Sequence, residues 1–424
     1  MSEVFDRMPE FRLETYLSRW EFAARYHLTA SDAETLTVGE LLELGSEEDR
    51  RAFGELPLSY TETWGSGRLR EAVAATYGTC APEDVLVFAG AEEAIFWVMQ
   101  VLAGPGDHVI MTVPNYQSME TVPLVTGAEV TGVLLDEADG WRLDVDAVRA
   151  AVRPSTRVVA VNFPNNPTGA VPDHETWRAL VELCEERGLR LVSDEVYRGL
   201  ETDRERMLPQ AADLSGTAVS INVMSKSYGM PGLRIGWVAS HDHALLETLE
   251  RHKHYTSICS SAPSEFLATV ALGAGERIQA RNRGIISANL PVFAEFFAAH
   301  EDLFAWAPRT AAASPSPLPR RRRRGDVLPR TCGDRRGRAA AREHLRLPPR
   351  RRARRPVPHR RRPPRPGARP GRVRPLSGRA ARVTGVVRRC RRGVSSGAGC
   401  PRGGVRPCLG SRCTAAPRRR PGGA

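Results

Sequence analysis

The chain has 424 residues and a net charge of +12, an average that divides unevenly: residues 309–424 hold 36 Arg against 3 acidic groups, so they carry +33 and residues 1–308 carry −21. All 7 Trp, 8 Tyr, 12 Phe and 8 Met lie in residues 1–308. The last 116 residues also lack Ile, Asn and Gln, a composition that cannot build an ordinary core, whereas the first 308 suffice for one large domain or two smaller ones.

No run reaches 18 consecutive apolar residues, and Met1 to Ala30 contains no apolar h-region. A membrane span and a signal peptide are therefore not expected, and a cytoplasmic protein is. Cys80, Cys184 and Cys259 are widely spaced, without CxxC or Cys/His clustering along the sequence. That spacing argues against a disulfide framework and a zinc site, so no metal is expected.

Residues 1–45 read as helix and loop. From residue 85, short apolar runs alternate with amphipathic stretches of helical length. Strands are expected at Val85 to Ala89, His108 to Val113, Glu129 to Leu134, Arg157 to Phe163, Arg190 to Ser193, Ala218 to Val223 and Arg234 to Ala239. Helical segments such as Pro172 to Arg187 separate several of them. Seven such strands fit one mainly parallel α/β sheet covered on both faces. After Ala262 the sequence turns helix-rich through Glu301, as a second, smaller unit would.

The hydrophobic periodicity stops near Pro308. Arg and Pro then make up 53 of the 116 residues. A solvated basic tail is one reading. The other is out-of-frame translation of a GC-rich gene, because Arg, Pro, Ala and Gly use codons built from G and C while the missing types need A or T. Nucleic-acid-binding tails mix Lys with Arg and interleave aromatics for stacking; this one does neither, which favours the frameshift. Translating the downstream DNA in the other two frames tests it.

Four motifs each fall at the C-terminal end of an expected strand, where ligand crevices of open α/β sheets lie. Phe88-Ala89-Gly90-Ala91-Glu92-Glu93-Ala94 turns a strand through Gly90 into a helix, whose free N–H groups would hold a phosphate. Asn162-Phe163-Pro164-Asn165-Asn166-Pro167-Thr168-Gly169 is an elaborate Asn-Pro turn. Ser193-Asp194-Glu195-Val196-Tyr197 sets a carboxylate at a strand end and a phenol three residues later. Met224-Ser225-Lys226 through Arg234-Ile235-Gly236 carries one of only two lysines. Singly, Lys226 reads as a surface charge, Asp194 as a helix cap and Tyr116 as a core residue.

Together and in this order, Asn-Pro-Thr-Gly, Asp-x-x-Tyr and Ser-Lys-x₇-Arg resemble the fold-type I, class I/II aminotransferase family of pyridoxal-5′-phosphate (PLP) enzymes, over residues 1 to 308. The resemblance implies a large PLP-binding domain at 46–275, a small α/β domain beginning at 276–308 and truncated there, an N-terminal segment 1–45 contributing to the small domain, and the tail 309–424 outside it. It implies that Lys226 forms a Schiff base with the cofactor and acts as general acid/base, and that Asp194 pairs with the pyridine nitrogen and maintains the ring as an electron sink. Tyr197 and Asn166 would donate hydrogen bonds to the cofactor's phenolic oxygen. Arg234, Ser225, Gly90 and the backbone at Ala91 and Glu92 would hold its phosphate. Val223 stands where relatives often have a second phosphate-binding Ser.

Tyr116 matches the aromatic that stacks on the ring, and Tyr60 resembles a residue that reaches the phosphate across a homodimer interface. The reaction implied is amino transfer between an amino acid and a 2-oxo acid, small molecules both. Similarity to capreomycidine synthase-type enzymes implies β-elimination and cyclisation instead. No residue matches the family's Arg for the substrate carboxylate, so the chain as written is expected to be inactive or insoluble, and a frame-corrected version to transaminate. A PLP-sensing regulator that binds nucleic acid through the tail is disfavoured, since such fusions carry a winged helix ahead of the domain and too few residues precede the first motifs.

Overall fold

The computed structural model describes residues 8–24, 30–306 and 318–319. The tail and frameshift readings made for 309–424 lie, apart from Leu318 and Pro319, outside the described residues.

Seven strands form one sheet: β1 (Val85–Phe88), β2 (His108–Val113), β3 (Glu129–Leu134), β4 (Thr156–Asn162), β5 (Arg190–Asp194), β6 (Val219–Val223) and β7 (Gly236–Ala239). Their order is β1-β7-β6-β5-β4-β2-β3. Only β7 runs against its neighbours, pairing antiparallel with both β1 and β6; the other pairings are parallel. The C-terminal ends of β1, β2, β4, β5 and β6 and the start of β7 therefore share one edge.

Twelve helices among the described residues surround this sheet: α1 (Arg12–Trp20), α2 (Val38–Leu44), α3 (Glu47–Gly54), α4 (Gly67–Ala74), α5 (Ala91–Leu102), α6 (Gln117–Thr126), α7 (Val145–Ala151), α8 (His174–Glu186), α9 (Ala211–Leu214), α10 (His243–Lys253), α11 (Ala262–Gly273) and α12 (Gly275–Ala299). Several start at side chains that satisfy the first-turn N–H groups. Thr37 with Glu40 and Ser46 with Asp49 form capping boxes for α2 and α3, and Asp173 accepts from Thr176 N at 2.7 Å at the start of α8.

Side chains alternate across the strands with period two. In β4, Val158 and Ala160 join the cluster built with α5, α6 and α10, while Val159 and Val161 face the cluster under α7 and α8. In β1, Leu86 and Phe88 join the first cluster and Val85 and Val87 pack with α4 and α11. Both faces are covered, which is why these strands read as continuous apolar runs. Each fully buried Leu, Val or Phe contributes about 1.5–3 kcal/mol.

The strands expected at His108 to Val113 and Glu129 to Leu134 have those bounds, and the others differ at their ends by one or two residues. A short antiparallel pair, Phe304–Ala305 with Leu318–Pro319, reaches past the expected break at residue 308. No helix among the described residues is long and apolar enough to cross a membrane.

Candidate active site

Each motif hangs from the shared edge of the sheet. The first is the turn between β1 and α5. Gly90 has φ +97°, a conformation glycine adopts without strain, and a Cβ there would lie 2.5 Å from an Arg234 guanidinium nitrogen. Gly236 is equally constrained: a Cβ would come within 2.7 Å of Ala91 N and of the Gly90 carbonyl carbon. Two glycines thus allow β7 and the Arg234 head to close on the start of α5, whose first N–H groups lack helical partners. Arg234, at φ 52°, occupies the left-handed region as a non-glycine residue. Its Nη2 donates to the Ala89 carbonyl at 3.4 Å and its Nη1 to that of Pro231 at 3.3 Å.

Asp194 ends β5 and is only 4% exposed. Its Oδ1 accepts the Val196 N–H at 3.2 Å. Burial raises this carboxyl to about 7, against the pull of the Val196 N–H and of Lys226. Tyr197 is buried with it; its hydroxyl lies beside Ser31 and Asn166 without a well-formed hydrogen bond, and desolvation pushes the phenol up. Asn166 is fixed through its backbone, whose N–H donates to Asn162 Oδ1 at 2.7 Å. Asn162 in turn donates to the Asp194 carbonyl at 3.1 Å, coupling the Asn-Pro turn to the carboxylate strand.

Lys226 follows β6 by three residues. Its Nζ donates to Ser31 Oγ at 2.8 Å and lies 5.9 Å from the centre of the Tyr197 ring. Burial depresses its pKa, opposed by Asp32, Asp194 and Glu14, with Arg234 adding to the depression. The neutral amine is therefore more accessible than on a surface lysine. Ser225 is half-buried beside it. Asn282 of α12 braces the segment by donating to the Ser227 carbonyl at 3.0 Å.

Tyr116 caps α6, donates to Glu14 Oε1 at 2.6 Å and meets Phe11 edge to face. Glu14 and Ser31 of the N-terminal segment thus lie against Tyr116 and Lys226. Besides its backbone N–H, Glu92 brings a carboxyl to the site. Burial raises its carboxyl, and Oε2 has no hydrogen-bond partner among the described residues. Tyr60 stands apart, 88% exposed. Ser31, Asp32 and Glu14 escaped the sequence reading, since no motif marks them and their proximity to Lys226 arises only from the path of the N-terminal segment.

The chemistry of these donors fits PLP. A buried carboxyl at about 7 with a single N–H donor suits a protonated ring nitrogen. The Gly90 cradle, an α5 N-terminus and a guanidinium suit a phosphate. The buried hydroxyl of Tyr197 and the Asn166 side chain converge as donors for an oxygen between them. Lys226 lies within the electrostatic reach of both Asp194 and Arg234.

Comparisons with known proteins agree. The family model "Aminotransferase class I and II" matches residues 30–302. The arginine–pyruvate transaminase AruH of Pseudomonas aeruginosa is 39% identical over 187 residues, 42% of this chain and 47% of that protein. Capreomycidine synthase of Streptomyces vinaceus is 31% identical over 272 residues, 62% of this chain and 68% of that protein. A PLP-dependent aminotransferase structure from Streptococcus suis 89-1591 superposes with a TM-score of 0.67 at 33% identity, covering 72% of this chain and 81% of the other. The match to AruH spans about half of that protein's length. On the family match, the site and the sheet together, this chain belongs to the class I and II aminotransferases, whose cofactor is PLP.

Proposed function

We propose that the chain moves an amino group between an amino acid and a 2-oxo acid. The observation that carries this reading is a half-buried Lys226 amine in the field of a buried Asp194 carboxyl, at the edge of a sheet where the helix after β1 offers a phosphate cradle. When bound, PLP supplies an aldehyde that condenses with amines and a ring that takes up electrons. The protein's part is to hold that ring and move protons. Asp194 would accept the ring N–H, Tyr197 and Asn166 would donate to the phenolic oxygen, and Tyr116 would stack on the ring. Arg234, Ser225 and the N–H groups of Ala91 and Glu92 would hold the phosphate. The Lys226 amine, with its depressed pKa, would take a proton from the substrate carbon and return it elsewhere.

One observation favours a substrate with a cationic side chain. Glu14 and Asp32, both from the N-terminal segment, lie in the field of Lys226, and Glu92 adds a third carboxyl near Arg234. Once the phosphate is set against Arg234, these groups call for a guanidinium or ammonium on the ligand. AruH is named for arginine, which supports the reading. Capreomycidine synthase is the second precedent, and supports elimination with cyclisation as the alternative outcome.

Incubating the cofactor-loaded protein, with its reading frame restored beyond residue 308, with arginine, lysine or leucine, each with and without pyruvate, tests both points. Amino transfer needs the acceptor for repeated turnover; elimination proceeds without it. Equal rates for leucine and arginine would dismiss the cationic preference. We further propose a homodimer, with Leu58 and Tyr60, 86% and 88% exposed, covered by a second copy. Light scattering that gives a monomer at micromolar concentration would refute it.

A further inference from the structure

A second group of ligating side chains lies at the opposite end of the β1–β7 pair. Asp84 closes the 3₁₀ turn Pro82–Asp84 leading into β1, and His241 follows β7 by two residues. The antiparallel pairing of Val85 with Ala239, extended by Ser240 N–H donating to the Asp84 carbonyl at 3.0 Å, brings them together. His241 Nδ1 lies 3.2 Å from Asp84 Oδ2. Cys80 completes the group: one ligand atom from each of the three lies within 4.8 Å of the others. His243 Nε2 meets the second Asp84 oxygen at 2.7 Å.

We propose that Cys80, Asp84 and His241 form a three-ligand site for a zinc-class divalent cation. Zinc takes nitrogen and oxygen ligands at about 2.0–2.2 Å in a tetrahedron, whose N–O edge is then roughly 3.3 Å. The His241–Asp84 separation of 3.2 Å is such an edge. A mixed sulfur, nitrogen and carboxylate set selects zinc-like ions over magnesium or calcium, which prefer oxygen alone.

Outer partners hold these ligands in place, as metal sites require. His241 Nε2 lies 3.2 Å from Thr79 Oγ1, and that hydroxyl donates to Asp213 Oδ1 at 3.0 Å. Ala81 N–H donates to Asp84 Oδ2 at 2.8 Å. A pocket of about 610 Å³ beside His243 is lined by Glu62, Glu83, Glu247 and Glu250, with Arg70 as a counter-charge, and this field concentrates cations there. A plain ion pair between Asp84 and two histidines would explain the carboxylate alone; Cys80, half-buried against the apolar cluster of α4 and α11, adds a sulfur to one side of it. Thr79 and His241 are 162 positions apart, so linear spacing could not show the cluster. The cation would fasten the start of an edge strand to the end of its neighbour, roughly 15–20 Å from the phosphate cradle at about 3.3 Å per strand residue.

The test is a titration of chelator-stripped, full-length protein with Co²⁺ alone. The expected result is one ion per chain, visible tetrahedral d–d bands and a thiolate charge-transfer band, all reversed by Zn²⁺. Cys80→Ser should remove the charge-transfer band, and both Cys80→Ser and His241→Gln should weaken binding about 100-fold or more, beyond the usual cost of losing an outer partner. Cys259→Ser should change neither. Circular dichroism verifies the fold of each variant, and His241, partly exposed, provides one that tolerates replacement. A thiolate band that survives Cys80→Ser, or a folded protein with no saturable site, would overturn the proposal. Lys226→Ala should bind Co²⁺ unchanged, which separates this site from the cofactor reading.

Discussion

Two aspartates, Asp84 and Asp194, sit at opposite ends of the same sheet and are almost equally buried, at 5% and 4% exposure. Burial acts on both in the same direction, yet they end on opposite sides of the ordinary carboxylate range. At Asp84, the Ala81 N–H and two histidines more than offset desolvation, and the pKa falls. At Asp194, one N–H and a more distant lysine do not, and it rises to about 7. Depth and donors act together: Asp194 lies wholly inside the protein with a single N–H donor, whereas Asp84 lies nearer the surface and already faces an N–H and two imidazoles.

The sharpest way to break this contrast is at the reactive end. Lys226→Ala should reduce activity more than about 10⁴-fold, since one amine serves as anchor and proton carrier. It should also abolish the borohydride-trappable adduct. A variant that keeps that adduct would remove Lys226 from the site.

The two aspartates should then respond with opposite signs. In the cofactor-free protein, Asp194 holds its proton up to about pH 7, while the unfolded chain releases it near pH 4. Stability from this group is thus full below pH 4 and lost as pH rises to 7, on the order of a few kcal/mol. Asp194→Asn should flatten that decline and raise the cofactor-free melting temperature near pH 7.5, though Glu195, also raised to about 7, keeps part of the slope. Asp84→Asn should instead cost about 1–3 kcal/mol, because it weakens acceptors already in use. Melting curves that move both variants the same way would erase the distinction.

Smaller effects refine the phosphate end. Arg234→Lys should weaken cofactor binding about 10–100-fold, since a point charge replaces a planar fork, as equilibrium dialysis would show. Glu92→Gln should tighten it a few-fold, up to about 10-fold, because it removes a carboxyl that is already hard to ionise from the neighbourhood of a bound phosphate. Weaker binding by Glu92→Gln would mean that its charge is needed.

Much of the sheet was legible because strands buried on both faces leave nearly continuous apolar runs, as in His108–Val113. Asp194, Asn166, Lys226 and Arg234 were legible because local spacing alone brings each to the shared edge: Asp194 ends β5, Asn166 follows β4 by four residues, Lys226 follows β6 by three and Arg234 precedes β7 by two. Glu14, Ser31 and Asp32 were not, since they reach Lys226 through a segment without a motif. Cys80 and His241 were hidden for the same reason, with antiparallel pairing doing the joining. Tyr60 carries a sequence likeness that a single chain leaves exposed.

The scarcity of lysine gives the protein a built-in reporter. Lys253, the other lysine, is fully buried, with its ammonium held on the Thr63 carbonyl and over the Phe88 ring. A lysine-specific protease has only two cleavage points in the denatured chain and yields three peptides. A pyridoxyl group fixed by reduction on Lys226 would block one of them, so a single peptide map would read occupancy of the site directly.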